Sequence, residues 1–188
     1  MRKINYILYL LIIIGCSYTK YGIALESPKE NYIHSIKSQS RYIKSIPLND
    51  VPKSIIFIIA DGTGIGQYTM SFYGNNNFSP ARFEHIGLVS THPDDHGKKV
   101  TDSAASGTAL STGVKTYNGA IAVDHEKRPI KTVIEWAIEK GMKTGLVATS
   151  TITHATPASF ATHTDYRKKE KEIAQQLSTS EVDVIFGG

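Results

Sequence analysis

The sequence predicts an α/β fold with a mostly parallel central sheet and helices on both faces. Two observations predict it. Short apolar runs rich in β-branched residues alternate with segments of helical spacing from residue 53 to residue 188. The first of those runs, Ile55 to Ala60, is unbroken apolar, as a strand covered on both faces of a parallel sheet reads.

That run sits in Lys53-Ser-Ile-Ile-Phe-Ile-Ile-Ala-Asp-Gly-Thr-Gly-Ile-Gly66, where Asp61 and three glycines follow the strand. In open α/β sheets, ligands gather beyond the carboxyl ends of the strands. Asp61 is therefore a candidate for holding a metal or a reacting group. The plainer alternative is that it opens a turn or caps the next helix.

A chain of 188 residues is long enough for one domain with a sizeable core. Of its 21 basic residues, Arg2 and Lys3 lie in a leader-like segment, leaving 19 against 17 acidic residues. So weak a balance gives no ground for nucleic-acid binding. Cys16 is the single cysteine, so no disulfide forms within the chain. Met1-Arg-Lys3 followed by the apolar run Ile4 to Ile14 has the length of a signal peptide and is short for a membrane span. Ile13-Ile14-Gly15-Cys16 resembles a bacterial lipobox, in which the cysteine takes the lipid. The expectation is an exported protein, periplasmic or on the outer surface, anchored to a membrane by lipid at Cys16. Residues 1–15 form the signal peptide in this reading. Residues 16–52, polar and without clear period, form a tether and N-terminal arm.

Beyond the first strand, Gln67 to Phe72 starts a short helix and Gly87 to His92 reads as a strand. The loop His92-Pro-Asp-Asp-His-Gly97 has the residue types of a metal site, but the same residues beside Pro and Gly also describe an exposed loop. Asp102 or Thr101 can cap a helix from Ser103 to about Thr112. A serine at such a helix start sits among unpaired amides at the positive end of the dipole, which suits an alkoxide or phosphate oxygens. An ordinary cap explains the pattern equally, and on physics alone Ser106 is as good a candidate as Ser103. Tyr117-Asn-Gly119 signals a turn. Pro129 is placed in the first turn of a helix carrying Ile130, Val133, Ile134, Ala137 and Ile138 and closed by Gly141, with Trp136 off the stripe. Lys143 to Ser150 reads as a strand, and residues 151–157 as the loop at its carboxyl end, with Pro157 opening a short helix. Asp165 to Leu177 reads as a polar helix with Ile173 and Leu177 facing in, and Val182 to Phe186 as a last strand.

Four stretches together resemble the alkaline phosphatase family: Ile56 to Gly64, Val100-Thr-Asp-Ser-Ala-Ala-Ser106, Ser111-Thr-Gly-Val-Lys-Thr-Tyr-Asn-Gly119 and Thr153-His-Ala-Thr-Pro-Ala158. They stand in the family's order and spacing from about Lys53 to the last residue. The resemblance implies a metal-dependent hydrolase of phosphomonoesters that works through a phosphoserine, with two zinc ions and one magnesium ion. It implies that Ser103, rather than Ser106, is the nucleophile and that Arg167 clamps two phosphate oxygens, a bidentate task suited to arginine. Asp61 would bridge the second zinc and the magnesium, and Thr156 would bind magnesium through its hydroxyl. His154 stands where some members carry aspartate and others histidine, which bears on how tightly magnesium is held. Homodimers are common in the family.

The resemblance also marks a departure. Family members are much longer, and the ligands of the first zinc and most of the second lie downstream in them. His85, His92, His96 and His125 do not match those positions. The expectation is a truncated N-terminal part of the catalytic domain over residues 53–188, inactive when isolated, with an incomplete sheet. Three rival readings stand beside it. A dinucleotide-binding turn fits poorly, because the glycines fall at 62, 64 and 66 and Gln67 stands where the third is wanted. A phosphatase with Asp61 as nucleophile wants a second acid two residues on, where Thr63 stands. The non-enzyme alternative is a lipid-anchored module that binds phosphate or a partner without catalysis.

Overall fold

The computed structural model describes residues 53–74, 77–83 and 85–188, and the backbone alone of residues 8–13. Cys16 and the tether over residues 16–52 lie outside the described residues. The chain divides into two compact units, residues 1–89 and residues 90–188. No helix among the described residues is long and apolar enough to cross a membrane.

In the first unit, β1 (Leu8–Ile13) lies parallel to β2 (Ile55–Ala60), with Leu8 opposite Ile55 and Ile13 opposite Ala60. β1 falls within the apolar run read as a leader. β2 forms where the run of β-branched residues predicts it, but its side chains are not covered on both faces: Ile55, Ile56 and Ile58 are each about half exposed. A two-stranded pair supplies too little neighbouring surface to bury them. After β2 the chain turns at Gly62, whose φ of 72° is open to glycine at no steric cost. The Thr63 amide donates to the Ala60 carbonyl and closes that turn. Helix α1 (Ile65–Gly74) follows, begun by the Gly64 amide donating to Gln67 Oε1. Tyr68 and Phe72 of α1 meet Phe78 edge to face. The segment expected as a strand over Gly87 to His92 pairs with no neighbour among the described residues and is not a strand; without a ladder partner its alternation alone does not hold it in a sheet.

The second unit carries α2 (Ser103–Thr112), α3 (Val133–Glu139), β3 (Gly145–Val147), α4 (Ala155–Ala161), α5 (Glu170–Thr179) and β4 (Val184–Phe186). β3 and β4 pair in parallel, Gly145 opposite Val184 and Val147 opposite Phe186. Helices thus join parallel strands, as the α/β reading requires, and the described strands form two parallel pairs.

The core of this unit is built from small and hydroxyl side chains. Ala104, Ala105, Ala120, Ile121, Ala158 and Ile173 are buried together with Thr108, Thr132, Ser159 and Thr162. These hydroxyls take backbone partners instead of water. Thr108 Oγ1 donates to the Ala120 carbonyl and accepts from the Ala122 amide, while Ser111 Oγ donates to the Ser159 carbonyl across the α2–α4 contact. Small residues bring the two helices so close that a Cβ on Gly107 would stand 2.4 Å from Ser159 Oγ.

In this unit β3 and β4 are shorter than the strands expected over Lys143 to Ser150 and Val182 to Phe186, and three helix starts differ from the sequence expectation. Helix α3 begins at Val133, not near Pro129. Thr132 caps it, accepting from the Glu135 amide while Glu135 accepts from the Thr132 amide, a reciprocal box that outcompetes the proline signal. Pro129 instead bridges Val123 in extended conformation. Helix α4 begins at Ala155, so Pro157 lies in its first turn, where no amide is needed. The helix expected from Asp165 begins at Glu170. Residues 162–169 form an arm that pairs antiparallel at Thr164 with Ile121, a long-range bridge that helical spacing does not reveal. Ile173 and Leu177 face inward as expected. Trp136 is about half exposed, with Lys131 Nζ 4.0 Å above its ring.

Candidate active site

Helix α2 starts because Asp102 stands in extended conformation and its Oδ1 accepts from the Ala105 amide at 2.9 Å. It stops because Gly113 takes the left-handed conformation, φ 76°. Ser103 is thereby the first helical residue, half-buried. The two serines that sequence physics left equal are physically unlike. Ser106 is buried, and its hydroxyl donates back to the Asp102 carbonyl at 2.8 Å. Ser103 stands at the end of the helix where amide N–H groups lack helical partners.

Asp102 does more than cap. Its Oδ1 also accepts from the Gly119 amide at 3.2 Å, and its Oδ2 pairs with Arg167 Nη1 at 3.1 Å. The Asp102 amide donates to Asn118 Oδ1, and Asn118 Nδ2 donates to the Val100 carbonyl. The Arg167 amide donates to the Gly119 carbonyl at 2.8 Å, so the turn at residues 117–119 holds Arg167 by its backbone and Asp102 by its carboxylate. Gly119 has φ 96°, and a Cβ there would lie 2.9 Å from the Tyr166 ring. Asn118 and Gly119 read locally as a turn and close one of the stretches that resemble the family. The Asn-Gly pair was the signal, and what it supports is a long-range contact.

Arg167 Nη2 lies 3.1 Å from His154 Nε2. Arginine only donates, so Nε2 accepts and a neutral ring carries its proton on Nδ1. His154 stands just before α4 with Nδ1 3.4 Å from the Thr156 amide; an Nδ1 that carries the proton cannot accept there, so the ring serves Arg167 or the helix start but not both at once. The guanidinium is thus held between Asp102 and His154, one N–H to each, and it retains further N–H groups for an anion. Asp165, two residues earlier, is turned to other cations: hydrogen bonds from Lys169 and Lys127 hold its carboxyl below the usual range. It does not compete for Arg167.

Within residues 90–188 the structure therefore brings Ser103, Asp102, Arg167, His154 and Thr156 onto elements tied by direct hydrogen bonds. Asp61 belongs to the other unit and lies exposed in the turn after β2. The loop at residues 92–97 is mostly exposed, with His125 Nε2 3.2 Å from Asp94 Oδ2 and Lys115 against His92. Among the described residues no three or more His, Cys, Asp or Glu side chains cluster as a metal would need. The oxygen donors of Asp61 and Thr156 suit magnesium in type. His154 Nε2, however, is engaged by Arg167, and the Asp102 carboxylate is filled by Arg167, Ala105 and Gly119. These residues do not by themselves complete a metal site.

Comparison with known proteins places the chain. The family model for alkaline phosphatase matches residues 52–188, and the chain belongs to the alkaline phosphatase family. It is 42% identical over 167 residues to alkaline phosphatase 3 of Bacillus subtilis, covering 82% of this chain and 36% of that protein. It is 40% identical over 147 residues to the repressible alkaline phosphatase of Saccharomyces cerevisiae, covering 72% of this chain and 26% of that one. Among solved structures, the alkaline phosphatase of the Antarctic bacterium TAB5 aligns with a TM-score of 0.61 at 43% identity, over 66% of this chain and 36% of that chain. A variant of that enzyme was solved with magnesium bound in its M3 site. The chain spans about a third of the length of curated relatives it matches. Its fold is an incomplete alkaline-phosphatase-like α/β fold.

Proposed function

We propose that residues 53–188 form the N-terminal part of an alkaline phosphatase catalytic domain that hydrolyses phosphate monoesters through a phosphoserine at Ser103. The carrying observation is the join of the Ser103 helix start to Arg167 through one carboxylate, Asp102. Because the chain covers about a third of its relatives, the activity proposed is that of the polypeptide complete with the family's downstream portion.

In this reading the Ser103 oxygen attacks phosphorus and the substrate's alkoxide or phenoxide leaves. The phosphoryl group passes to serine, and water then releases it as inorganic phosphate. Arg167 orients two non-bridging oxygens with the N–H groups that Asp102 and His154 leave over. The amides opening α2 add partial positive charge on the attacking side. Asp102 fixes the guanidinium in place, so that little ordering remains when substrate binds. Asp61, Thr156 and His154 are proposed to contribute to a set of two zinc ions and one magnesium ion completed by downstream residues, and His154 would have to release Arg167 to do so. Bound metal would supply Lewis acidity and a serine hydroxyl of lowered pKa.

The test compares hydrolysis of an aryl phosphate by the complete enzyme and its Ser103→Ala and Ser106→Ala variants. The reading expects Ser103→Ala to lose at least about a thousandfold in kcat/KM, with Ser106→Ala active. Equal rates for Ser103→Ala and wild type remove Ser103 from the role. Export and lipid attachment at Cys16 are proposed on the leader pattern alone. Labelling of the wild type but not of Cys16→Ser by a tritiated fatty acid tests them.

A further inference from the structure

His163 lies four residues before Arg167, on the arm at residues 162–169, and it is among neither the proposed nucleophile, the clamp nor the candidate metal ligands. Its ring is largely enclosed and touches two elements at once. Nδ1 is 2.8 Å from the Ala122 carbonyl, and Nε2 is 2.9 Å from Glu135 Oε1. Both nitrogens face oxygen acceptors, so a neutral ring donates to only one of them and a doubly protonated ring to both. The His163 backbone is held as well: its amide donates to Gln176 Oε1 at 2.7 Å, and Gln176 Nε2 donates to its carbonyl at 2.8 Å. Charged neighbours around the adjoining cavity are Lys131, Glu135 and Glu139 near α3 and Glu181 after α5. Lys131 is paired with Glu139.

What these contacts hold is the platform beneath Arg167. Ala122 has φ 43°, a conformation that a non-glycine residue adopts only under external restraint. Its amide is held by Thr108 Oγ1, and its carbonyl by the Ile130 amide and the His163 ring. One residue earlier, Ile121 and Thr164 exchange both backbone hydrogen bonds, and Gly119 receives the Arg167 amide. The segment 119–122 and the arm 163–167 therefore run side by side, with His163–Ala122 at one end and Arg167–Gly119 at the other. Opening the first end leaves the arm to the Ile121–Thr164 pair, the Arg167–Gly119 bond and the Gln176 contacts, which loosens it along its partner, and Arg167 rides on it.

We propose that His163 is a positioning residue for phosphate binding, pinning the arm to Ala122 so that the Arg167 guanidinium is presented at the Ser103 helix start. The catalytic part of this inference rests on Arg167 being the phosphate clamp.

Two substitutions separate the two ring nitrogens. The Asn amide nitrogen sits near the place of Nδ1 and can still reach Ala122, whereas the Gln amide sits near Nε2 and reaches Glu135 only. In the 188-residue chain, amide exchange is measured by NMR at Ile121, Thr164 and Arg167, with the Gly113 amide that closes α2 as the internal control for folding. In the complete enzyme, inhibition by inorganic phosphate is measured for the same variants and for Arg167→Lys. The expected result is that His163→Gln speeds exchange at the three amides about tenfold or more while Gly113 is unmoved, and weakens phosphate inhibition about tenfold. His163→Asn restores most of both. Equal behaviour of the Asn and Gln variants, or unchanged exchange in His163→Gln, overturns the pin. If Arg167→Lys weakens phosphate inhibition but His163→Gln does not, the positioning role is overturned while the clamp stands. If Arg167→Lys is without effect, the clamp falls and the catalytic inference with it, whatever the exchange data say of the arm.

Discussion

Gly107→Ala is the substitution whose consequence the packing fixes most closely. In a free helix it would help, because alanine is favoured over glycine by about 1 kcal/mol. Here the new methyl would stand 2.4 Å from Ser159 Oγ, 3.3 Å from Ser159 Cβ and 3.7 Å from Thr156 Cα. The hydroxyl could rotate, but Ser159 is fully buried and its Oγ donates to the Thr156 carbonyl at 2.9 Å, so rotation leaves a buried acceptor short of its partner. That loss costs about 1 kcal/mol or more. The Cβ cannot rotate away, so α2 and α4 must also separate slightly, an overpacking cost of about 1–3 kcal/mol. Set against the helical gain, the net destabilisation is roughly 1–3 kcal/mol. Urea unfolding followed by circular dichroism gives the difference directly. The double variant Gly107→Ala, Ser159→Ala removes the clashing oxygen and is expected to recover a large part of it relative to Ser159→Ala alone. A Gly107→Ala chain as stable as the wild type would refute the reasoning that close approach of α2 and α4 makes glycine necessary.

Asp102→Ala removes the α2 cap and the Arg167 anchor together. It is expected to lower stability by about 1 kcal/mol and to weaken phosphate inhibition of the complete enzyme; a stability loss with unchanged inhibition would show that Asp102 only caps. Glu135 gives a pH-dependent difference. Burial raises its carboxyl, but hydrogen bonds from His163 and the Thr132 amide outweigh that and hold it below the ordinary glutamate range. Its contribution is therefore present above the unfolded-state value of about 4.3 and fades as pH falls through the lower folded value. Wild type should exceed Glu135→Gln in unfolding free energy at neutral pH, and the gap should close in acid; a gap constant with pH would contradict this.

Much of the fold was legible where one local signal stood without a rival. Ile55 to Ala60, apolar and rich in β-branched residues, forms the strand its composition predicts, though exposed rather than covered, and α2 runs from Ser103 to Thr112 as its cap pattern predicts. Where two signals compete, local pattern does not decide between them. Pro129 looked like a helix start, but the Thr132–Glu135 box, spelled three residues apart in the same stretch, sets the boundary. The arm at residues 162–169 misled for another reason. It continues toward the spacing of α5, and its pairing with Ile121 lies more than forty residues away along the chain. The same holds for the site. Local pattern offers Asp102 or Thr101 as the cap and leaves Ser103 and Ser106 equal, and the family resemblance is what singles out Ser103 and Arg167. Asn118, Gly119 and His163 act through contacts of long sequence separation, to which periodicity is blind.

The central claim is that Ser103, at the first position of α2, carries the phosphoryl group. The direct measurement is to mix the complete enzyme with an aryl phosphate, quench in acid and map the tryptic peptide from Val100 to Lys115, which contains Ser103, Ser106 and Ser111. Fragment ions placing the phosphate on Ser103, and its absence from the Ser103→Ala protein, are the result the account predicts. Phosphate on Ser106, or an actively hydrolysing enzyme whose Ser103 is never modified under trapping conditions that capture other phosphoserines, would contradict it.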